Sequence, residues 1–402
     1  MSEFTPNPAR GKEVFELDRS FVFHSWSAQA QISPLPVATG QGSYFWDFDG
    51  KKYLDFSCQL VFTNIGFQHP KVINAIKKQA DLLSTVAPQV ANEARGEAAK
   101  RIVGLASPHH KKVFFTNGGA DGVENAIRMA RLHTNRHKIL SFYRSYHGNT
   151  SAAISATGDP RRWPNEFAYG HVHFFGPYAY RSAFWSANEE EECKRALEHL
   201  ESVITFEGPQ TIAAILIESV VGTAGVLIPP RGYLEGVRAL CDKYGILWIA
   251  DEVMSGFGRT GKWFAYQHST AHPDLIVFAK GVNSGYVPLG GVVISDSVAT
   301  TFDERVFPGG LTYSGHPLAC AAAVATIDVM KEEKIVEHAA LMGEKVIGPG
   351  LRALAEKHPV IGEVRGQGVF WALDLVTDRA TRAPLAPYGG SSAAMNELVT
   401  EC

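Results

Sequence analysis

The sequence predicts an α/β protein in which helices cover both faces of a mostly parallel sheet. Short apolar runs alternate along the chain with amphipathic helical stretches, which is the pattern of βαβ units. Several of these runs are apolar at nearly every position, as in strands that are buried on both faces. Charged residues directly follow three of the runs, and these residues are the first candidates for a functional site.

The predicted elements continue from about residue 70 to the end of the chain. Residues 316–357 have a helical pattern, and "GEVRGQGVFWALDLV" (362–376) predicts strands of a second unit. In chain order, the earlier elements are expected to be helices at 70–86 and 93–106, a strand at 111–116, a helix at 119–133, a strand at 137–142, a helix at 190–204, a strand at 211–219, a helix at 232–244, and strands at 245–252, 274–279 and 290–295.

This order of elements predicts two domains. The alternating part forms a large domain over residues 66–325. Residues 1–65 and 326–402 are expected to form the two parts of a smaller α+β domain.

Composition excludes several classes of protein. The 402 residues are 45% hydrophobic and 20% charged, which is ordinary for a globular chain long enough for two domains. The net charge of −3 provides no basic field for nucleic acid or an anionic membrane, and no apolar run approaches the length of a membrane span. The five scattered cysteines favour reduced thiols in a cytoplasmic protein. His171 and His173 lack a third ligand at suitable spacing, so we expect no metal site.

Three chemically active side chains stand at predicted strand ends: Glu218 after "AAILI", Asp251 after "LWIA" and Lys280 after "LIVFA". Because ligands bind at the carboxyl ends of strands in open α/β sheets, we expect these residues to lie close together. A single acid after a strand is more often a cap or turn residue, and the Asp251-Glu252 pair lacks further metal ligands. A buried aspartate needs a cationic partner, and a protonated pyridine nitrogen is one.

Two further segments supply other parts of a cofactor site. Gly118, Gly119 and Ala120 lie between a strand and a helix, where backbone N–H groups can hold a phosphate. A Gly-Gly turn is usually only a turn, however, and this one is not a nucleotide fingerprint. Tyr146 and His147 follow another strand, where an aromatic ring either packs in the core or stacks on a flat heterocycle. A lysine, an acid, a phosphate turn and an aromatic ring are the parts that pyridoxal 5′-phosphate requires.

With these motifs the sequence resembles the class III (ω-) aminotransferases, which are pyridoxal-phosphate enzymes of fold type I with a seven-stranded, mostly parallel sheet. The resemblance covers nearly the whole chain. The segments that carry it are, in order, "GSYFWDFDGKKYLDFS" (42–57), "NIGFQHPKV" (64–72), "TNGGADGVENAIRMAR" (116–131), "YHG" (146–148), "WIADEVMSGFGRTG" (248–261), "AKGVNSGYVPLGG" (279–291) and "LTYSGHPLACAAA" (311–323).

The resemblance implies roles for individual residues. Lys280 matches the lysine that forms the Schiff base with the cofactor and then moves the proton, and Asp251 matches the acid that faces the ring nitrogen. Val253 and Tyr146 match the residues that pack on the two faces of the ring. The other cofactor contacts that it implies are Gly118, Gly119, Ala120, His147, Glu218 and Thr312.

Two of these matches bear on assembly and on substrate binding. Thr312 matches the threonine that reaches the phosphate of the neighbouring subunit, which implies a homodimer, or a dimer of dimers, with active sites at the interface. Glu218 matches a strand-end glutamate that gates a carboxylate-binding arginine, although Ser219 replaces the proline that usually follows it. Family members usually continue well past "NELVTEC" and carry that arginine there, so we expect this chain to lack a C-terminal segment.

The segments "HSWSAQ" (24–29) and "SCQLVF" (57–62) match those that line the substrate pocket in the family. Trp26 can instead be a buried anchor of the N-terminal segment. Two arginines in "GDPRRWPNE" (158–166) are either solvated or pair with a carboxylate or sulfonate on the substrate. The substrate contacts expected from these segments are Ser25, Trp26, Gln59, Leu60, Val61, Arg161 and Arg162.

The function that the resemblance implies is ping-pong transfer of an amino group from an ω-amino acid or amine to a 2-oxo acid such as pyruvate or 2-oxoglutarate. The pocket segments are similar to those of taurine-type enzymes, so the donor is expected to resemble taurine or β-alanine. An aminomutase or a decarboxylating aminotransferase would need the same residues. The intact Lys280 and Asp251 argue against an inactive binding or structural homologue, and a dehydrogenase would need a dinucleotide fingerprint that is missing.

Overall fold

The computed structural model describes residues 4–401. The strands are β1 Val37–Gln41, β2 Tyr44–Asp47, β3 Lys52–Leu54, β4 His110–Thr116, β5 Lys138–Phe142, β6 His171–Phe174, β7 Ile212–Glu218, β8 Leu247–Asp251, β9 Leu275–Phe278, β10 Gly290–Ser295, β11 Ile361–Gln367, β12 Phe370–Asp378 and β13 Ala383–Pro384.

Helices fill most of the sequence between these strands. In the part of the chain that the structure describes, no helix is both long enough and apolar enough to cross a membrane. The helices are α1 Pro8–Phe21, α2 Cys58–Val61, α3 Pro70–Leu82, α4 Glu93–Val103, α5 Gly119–Thr134, α6 Ser151–Ala156, α7 Glu189–Glu207, α8 Tyr233–Tyr244, α9 Asp296–Ala299, α10 Pro317–Glu332, α11 Ile335–Met342, α12 Gly348–Lys357 and α13 Ala393–Glu401.

The central sheet has seven strands in the spatial order β4–β10–β9–β8–β7–β5–β6. β10 runs antiparallel to both of its neighbours, and every other pair in the sheet is parallel. The predicted α/β architecture with a mostly parallel seven-stranded sheet is therefore confirmed. Glu218 and Asp251 are register partners at the ends of the neighbouring strands β7 and β8.

Both faces of the central sheet are buried, which explains why its strands are apolar at successive positions. In β8, Trp248 and Ala250 pack into the cluster on one face, while Leu247 and Ile249 pack into the cluster on the other face. Helix α5 contributes several apolar side chains to the second cluster, including Ile127. Burying each large aliphatic side chain contributes ~1.5–3 kcal/mol, so this packing holds the strand ends in place.

The two ends of the chain form separate three-stranded sheets. β1, β2 and β3 pair in one sheet, and β11, β12 and β13 pair in the other. Hydrogen bonds connect the N-terminal part to the segments that follow β8 and β9, since Asn64 Nδ2 donates to the Phe257 carbonyl at 2.8 Å and the Ile65 N–H donates to Ser284 Oγ at 3.2 Å. The domain boundaries at residues 65 and 325 stay a prediction.

One strand of the central sheet was missed by the sequence pattern. β6 is the short edge strand His171–Phe174, and it pairs only with β5. Its side chains are partly buried apart from Phe174, so it lacks the continuous apolar run that identifies the inner strands. The predicted helices at 70–86 and 93–106 end earlier, at Leu82 and Val103, while the other elements lie within a few residues of the expected positions.

One buried histidine, His110, and two partly buried ones, His171 and His173, make the stability of this fold sensitive to acid. Burial lowers the pKa of His110 and of His171 to about 3 and that of His173 to about 4, from 6.5. Below pH 6.5 the unfolded chain binds protons that the folded chain does not, so stability is complete above that pH and falls as the pH decreases towards the folded values. Each histidine contributes up to ~1.4 kcal/mol per pH unit within this window.

We expect a His110→Leu variant to lose less thermal stability than the wild type between about pH 7 and about pH 5. Replacing the exposed His358, a matched control, by leucine should leave the pH dependence unchanged. Unfolding midpoints at the two pH values are the measurement. Equal pH dependence in the two variants would contradict this assignment.

Candidate active site

Lys280 follows β9 at the carboxyl edge of the central sheet. Its backbone has a φ of +46°, in the left-handed region that residues other than glycine rarely adopt. Burial lowers the pKa of its ammonium group, whereas Coulomb attraction to Asp251 and Glu218 acts in the opposite direction. In this site the amine of Lys280 is therefore neutral more readily than it would be in water. A neutral amine can act as a nucleophile or a base.

Asp251 ends β8 and is only 3% exposed. Its Oδ2 lies 2.7 Å from His147 Nδ1, and its Oδ1 accepts the Val253 N–H at 3.0 Å. His147 is also buried, and its Nε2 has no hydrogen-bond partner within residues 4–401. The histidine provides part of the compensation that a buried carboxylate needs, and the sequence did not indicate this pairing.

Glu218 ends β7 and accepts two backbone hydrogen bonds. Its Oε1 accepts the Tyr146 N–H and its Oε2 accepts the Gly222 N–H, both at 2.9 Å. Burial raises the pKa of this carboxyl to about 7, and the nearby Asp251 also raises it. The glutamate thus joins the loop after β5 to the loop after β7 and shares its edge of the sheet with Asp251.

The predicted phosphate turn lies at the N-terminus of α5, a helix of 16 residues. Gly118 precedes the helix, and no side chain caps the first N–H groups. Such N–H groups, together with the positive end of the helix dipole, bind anions. A Cβ on Gly119 would lie 2.9 Å from both methyl groups of Val253, so this close approach requires glycine. The predicted phosphate turn therefore packs closely against the side chain of Val253.

These elements surround one cavity of about 360 Å³. The cavity is large enough for a small aromatic cofactor, and its wall carries an amine, buried acids and free helical N–H groups, so the residues present fit pyridoxal 5′-phosphate. The predicted cofactor residues that the structure brings together in its wall are Gly118, Gly119, Ala120, Tyr146, His147, Glu218, Asp251, Val253 and Lys280.

Thr312 is the predicted cofactor residue that does not line this cavity. It lies in the loop before α10 and is exposed in the single chain. Phe62, in the predicted pocket segment 57–62, lines the cavity although it was not among the contacts named for that segment, and Thr223 lines it without having been predicted. Thr223 follows β7 at the carboxyl edge, so the strand-end rule could have found it.

The predicted substrate segments lie beside Tyr146 or in strained turns. Trp26 is 61% exposed, so it is not a buried anchor, and its ring centroid lies 5.9 Å from that of Tyr146, edge to face. α2 is distorted, because Gln59 and Val61 have φ values of +57° and +60°. Leu60 is 69% exposed. Ser25 is exposed as well.

The two neighbouring arginines point in different directions. The guanidinium carbon of Arg161 lies 3.7 Å from the ring centroid of Tyr146, at the edge of the cavity. Arg162 instead pairs with Glu166 at 2.8 Å, and its charge acts on His173 of the edge strand. Of these two arginines, therefore, only Arg161 has a side-chain contact with a residue of the cavity wall.

Comparison with known proteins places this geometry in a family. The family model described as "Aminotransferase class-III" matches residues 26–395. Taurine–pyruvate aminotransferase of Bilophila wadsworthia is 34% identical over 389 residues, covering 93% of this chain and 84% of that protein. The crystal structure of taurine:2-oxoglutarate aminotransferase from Bifidobacterium kashiwanohense, in complex with PLP and glutamate, has a TM-score of 0.94 at 46% identity, covering 100% of this chain and 89% of that chain.

A second solved structure is of an enzyme named for a different activity. The (S)-enantioselective ω-transaminase from Thermomicrobium roseum has a TM-score of 0.89 at 38% identity, and the match covers 94% of this chain and 87% of that chain.

The contact between Gly119 and Val253 gives a prediction that is independent of the substrate. A Gly119→Ala variant should lower the stability of the cofactor-free protein by ~1–3 kcal/mol, because the new methyl group overlaps the Val253 side chain. Gly118→Ala is the matched control, since a Cβ there meets nothing within 4 Å. Adding Val253→Ala to Gly119→Ala should restore the unfolding midpoint; no rescue would disprove the assigned overlap.

Proposed function

The chain belongs to the class III aminotransferases, which use pyridoxal 5′-phosphate, and we propose that it transfers an amino group from a small amine with a distal acidic group to a 2-oxo acid. Taurine and β-alanine represent the donors, and pyruvate and 2-oxoglutarate represent the acceptors. The observation that carries the proposal is the position of the Arg161 guanidinium, 3.7 Å from the ring of Tyr146 in the cavity wall. Arginine is the side chain best suited to carboxylates and sulfonates.

The two relatives named for taurine support the same donor class. The protein with 46% identity is described as a taurine:2-oxoglutarate aminotransferase, and this chain is covered completely by the match. The ω-transaminase match at 38% identity keeps an uncharged amine as the comparison donor in any test.

The residues of this chain have separate tasks in the proposed reaction. Bound in the cavity, the cofactor supplies an aldehyde that takes up the amino group and a ring that accepts electrons. Lys280 would hold the cofactor through its Nζ, and the same amine, when neutral, would serve as the base that takes up and returns the proton of the donor carbon. Burial lowers the pKa of this amine, which makes the unprotonated base more available.

Asp251 holds the proton on the ring nitrogen in this proposal. Its carboxylate is kept in place by His147 and by the Val253 N–H. A positioned carboxylate favours the protonated nitrogen through Coulomb attraction in a site with little water. The N–H groups at the start of α5 would hold the phosphate, and Val253 and Tyr146 would pack against the cofactor ring.

Replacing Arg161 tests the donor class. Arg161→Gln should raise KM for taurine and β-alanine by roughly 10- to 100-fold, the value of a charge-assisted hydrogen bond of ~1.5–3 kcal/mol. KM for an uncharged amine of similar size should change much less. Loss of the visible cofactor absorbance on adding each donor measures the first half-reaction without an acceptor.

Arg162→Gln is the matched control for the same loop, because Arg162 pairs with Glu166 instead of contacting Tyr146. Any change in KM that Arg162→Gln causes should be the same for charged and uncharged donors. Equal increases in KM for charged and uncharged donors in Arg161→Gln would exclude the proposed role of Arg161. If no donor changes the absorbance, aminotransferase activity towards these substrates is excluded.

We also propose that the active unit is a homodimer in which Thr312 of each chain binds the phosphate in the other chain's site. Thr312 is exposed in the single chain, and its neighbour Tyr313 is 62% exposed. Large apolar side chains are also exposed in the predicted substrate segments, such as Leu60 at 69%. A second copy would cover such a surface.

Thr312→Ala should weaken cofactor binding by roughly tenfold, since it removes one hydrogen bond to a charged group worth ~1.5 kcal/mol or more. Light scattering combined with gel filtration should give the mass of a dimer, or of a dimer of dimers, for both wild type and variant. A monomeric protein with full activity would contradict the proposal. If the Thr312→Ala variant is dimeric and binds the cofactor with unchanged affinity, the role of Thr312 is excluded but the dimer is not.

A further inference from the structure

The guanidinium of Arg161 is already held by other groups of the chain. Its Nε lies 3.1 and 3.0 Å from the two carboxylate oxygens of Asp159, and its Nη2 donates to Asp159 Oδ2 and, at 3.2 Å, to Thr223 Oγ1. Nη1 takes part in none of these bonds. Asp159 also accepts the Arg161 N–H at 3.0 Å, capping the short turn Pro160–Arg162.

This ion pair lies beside the wall of the active-site cavity, because Arg161 contacts two wall residues, Tyr146 and Thr223. The Arg161 guanidinium lies over Tyr146, with the ring of Trp26 5.4 Å away, and Thr223 lines the cavity. Its charge also reaches Lys280, where it lowers the pKa of the ammonium group. An anion bound near Tyr146 would therefore interact with a cation that is already paired.

The two partners differ in exposure. The Asp159 side chain is 12% exposed, whereas the Arg161 side chain is 32% exposed. The acid is thus the inner partner, and an arriving anion meets the arginine first. Because the pair is neutral as a whole, it attracts an anionic donor less than a free arginine would. A paired arginine also imposes a smaller penalty on an uncharged donor than a bare buried cation would.

We propose that Asp159 is a positioning residue that sets the preference between anionic and uncharged donors by competing with the substrate anion for Arg161. This inference rests on the proposed function, because it requires Arg161 to bind the acidic end of the donor. The acid holds the guanidinium over the Tyr146 ring and occupies Nε and Nη2, so that a substrate anion has Nη1 available. Removing the negative charge of Asp159 increases the affinity of the site for anionic donors relative to uncharged ones.

Asp159→Asn tests the inference, because asparagine keeps an oxygen that can accept the Arg161 N–H while it removes the competing charge. We expect Kd for 1-propanesulfonate, measured by calorimetry on the holoenzyme, to decrease about tenfold. KM for taurine and β-alanine should decrease similarly, with KM for an uncharged amine of similar size unchanged. Asp159→Ser, which also keeps a capping oxygen, should show the same direction if the asparagine variant folds poorly.

Two controls connect the effect to Arg161. Asp159→Asn should have no effect on sulfonate binding in an Arg161→Gln background. Glu166→Gln removes an acid of the same loop that pairs with Arg162, and it should leave the Kd of the sulfonate unchanged. The Kd of the sulfonate distinguishes this competition from a purely structural role. A misplaced loop would weaken binding of the sulfonate, whereas loss of the competing charge should strengthen it.

The outcomes separate this inference from the proposed function. If Arg161→Gln weakens anionic donors selectively but Asp159→Asn leaves sulfonate binding unchanged or weakens it, the role of Asp159 is wrong and the donor class stands. If Arg161→Gln does not weaken anionic donors, the donor class itself is wrong. A stronger effect of Asp159→Asn on the uncharged amine than on the sulfonate would also overturn the inference.

Discussion

The hydrogen bond between His147 and Asp251 is the interaction on which the rest of the active-site edge depends. A carboxylate that is 3% exposed is stable only with compensation, and the histidine ring and the Val253 N–H supply it. The bond also joins the end of β8 to the loop after β5. Glu218 strengthens that connection from β7, because it accepts the Tyr146 N–H. The backbone that carries the Tyr146 ring is consequently held by buried carboxylates at two adjacent residues, Tyr146 and His147.

A further series of contacts leads from Tyr146 to Arg161, beside the cavity wall. Tyr146 supports the guanidinium of Arg161, and Thr223 contacts the same guanidinium from the loop that Glu218 holds through Gly222. The inner acids thus influence the outer arginine through hydrogen bonds and packing contacts. The same connections explain why residues from three different strand ends can act on one small ligand.

Several residues in the segments predicted for the site have a strained backbone. Lys280, Gln59, Val61 and Trp26 all have positive φ values, although none of them is glycine. Such conformations cost of order 1–3 kcal/mol each and persist only where the surroundings impose them. For Val61 the branched side chain makes the conformation especially unfavourable. For Lys280, the packing of the central sheet directly before it, where β9 is buried on both faces, helps to offset this cost.

The apolar runs of the sequence by themselves determined the buried strands and therefore the edge at which Glu218, Asp251 and Lys280 meet, since parallel strands end on the same side of a sheet. The edge strand His171–Phe174 escaped prediction because one partly buried strand has no continuous apolar pattern. Only the tertiary structure decided that His147 pairs with Asp251 and that Arg161, not Arg162, lies on Tyr146. These directions depend on contacts between residues far apart in the chain, such as Arg161 with Thr223, and local residue patterns carry no information about such contacts.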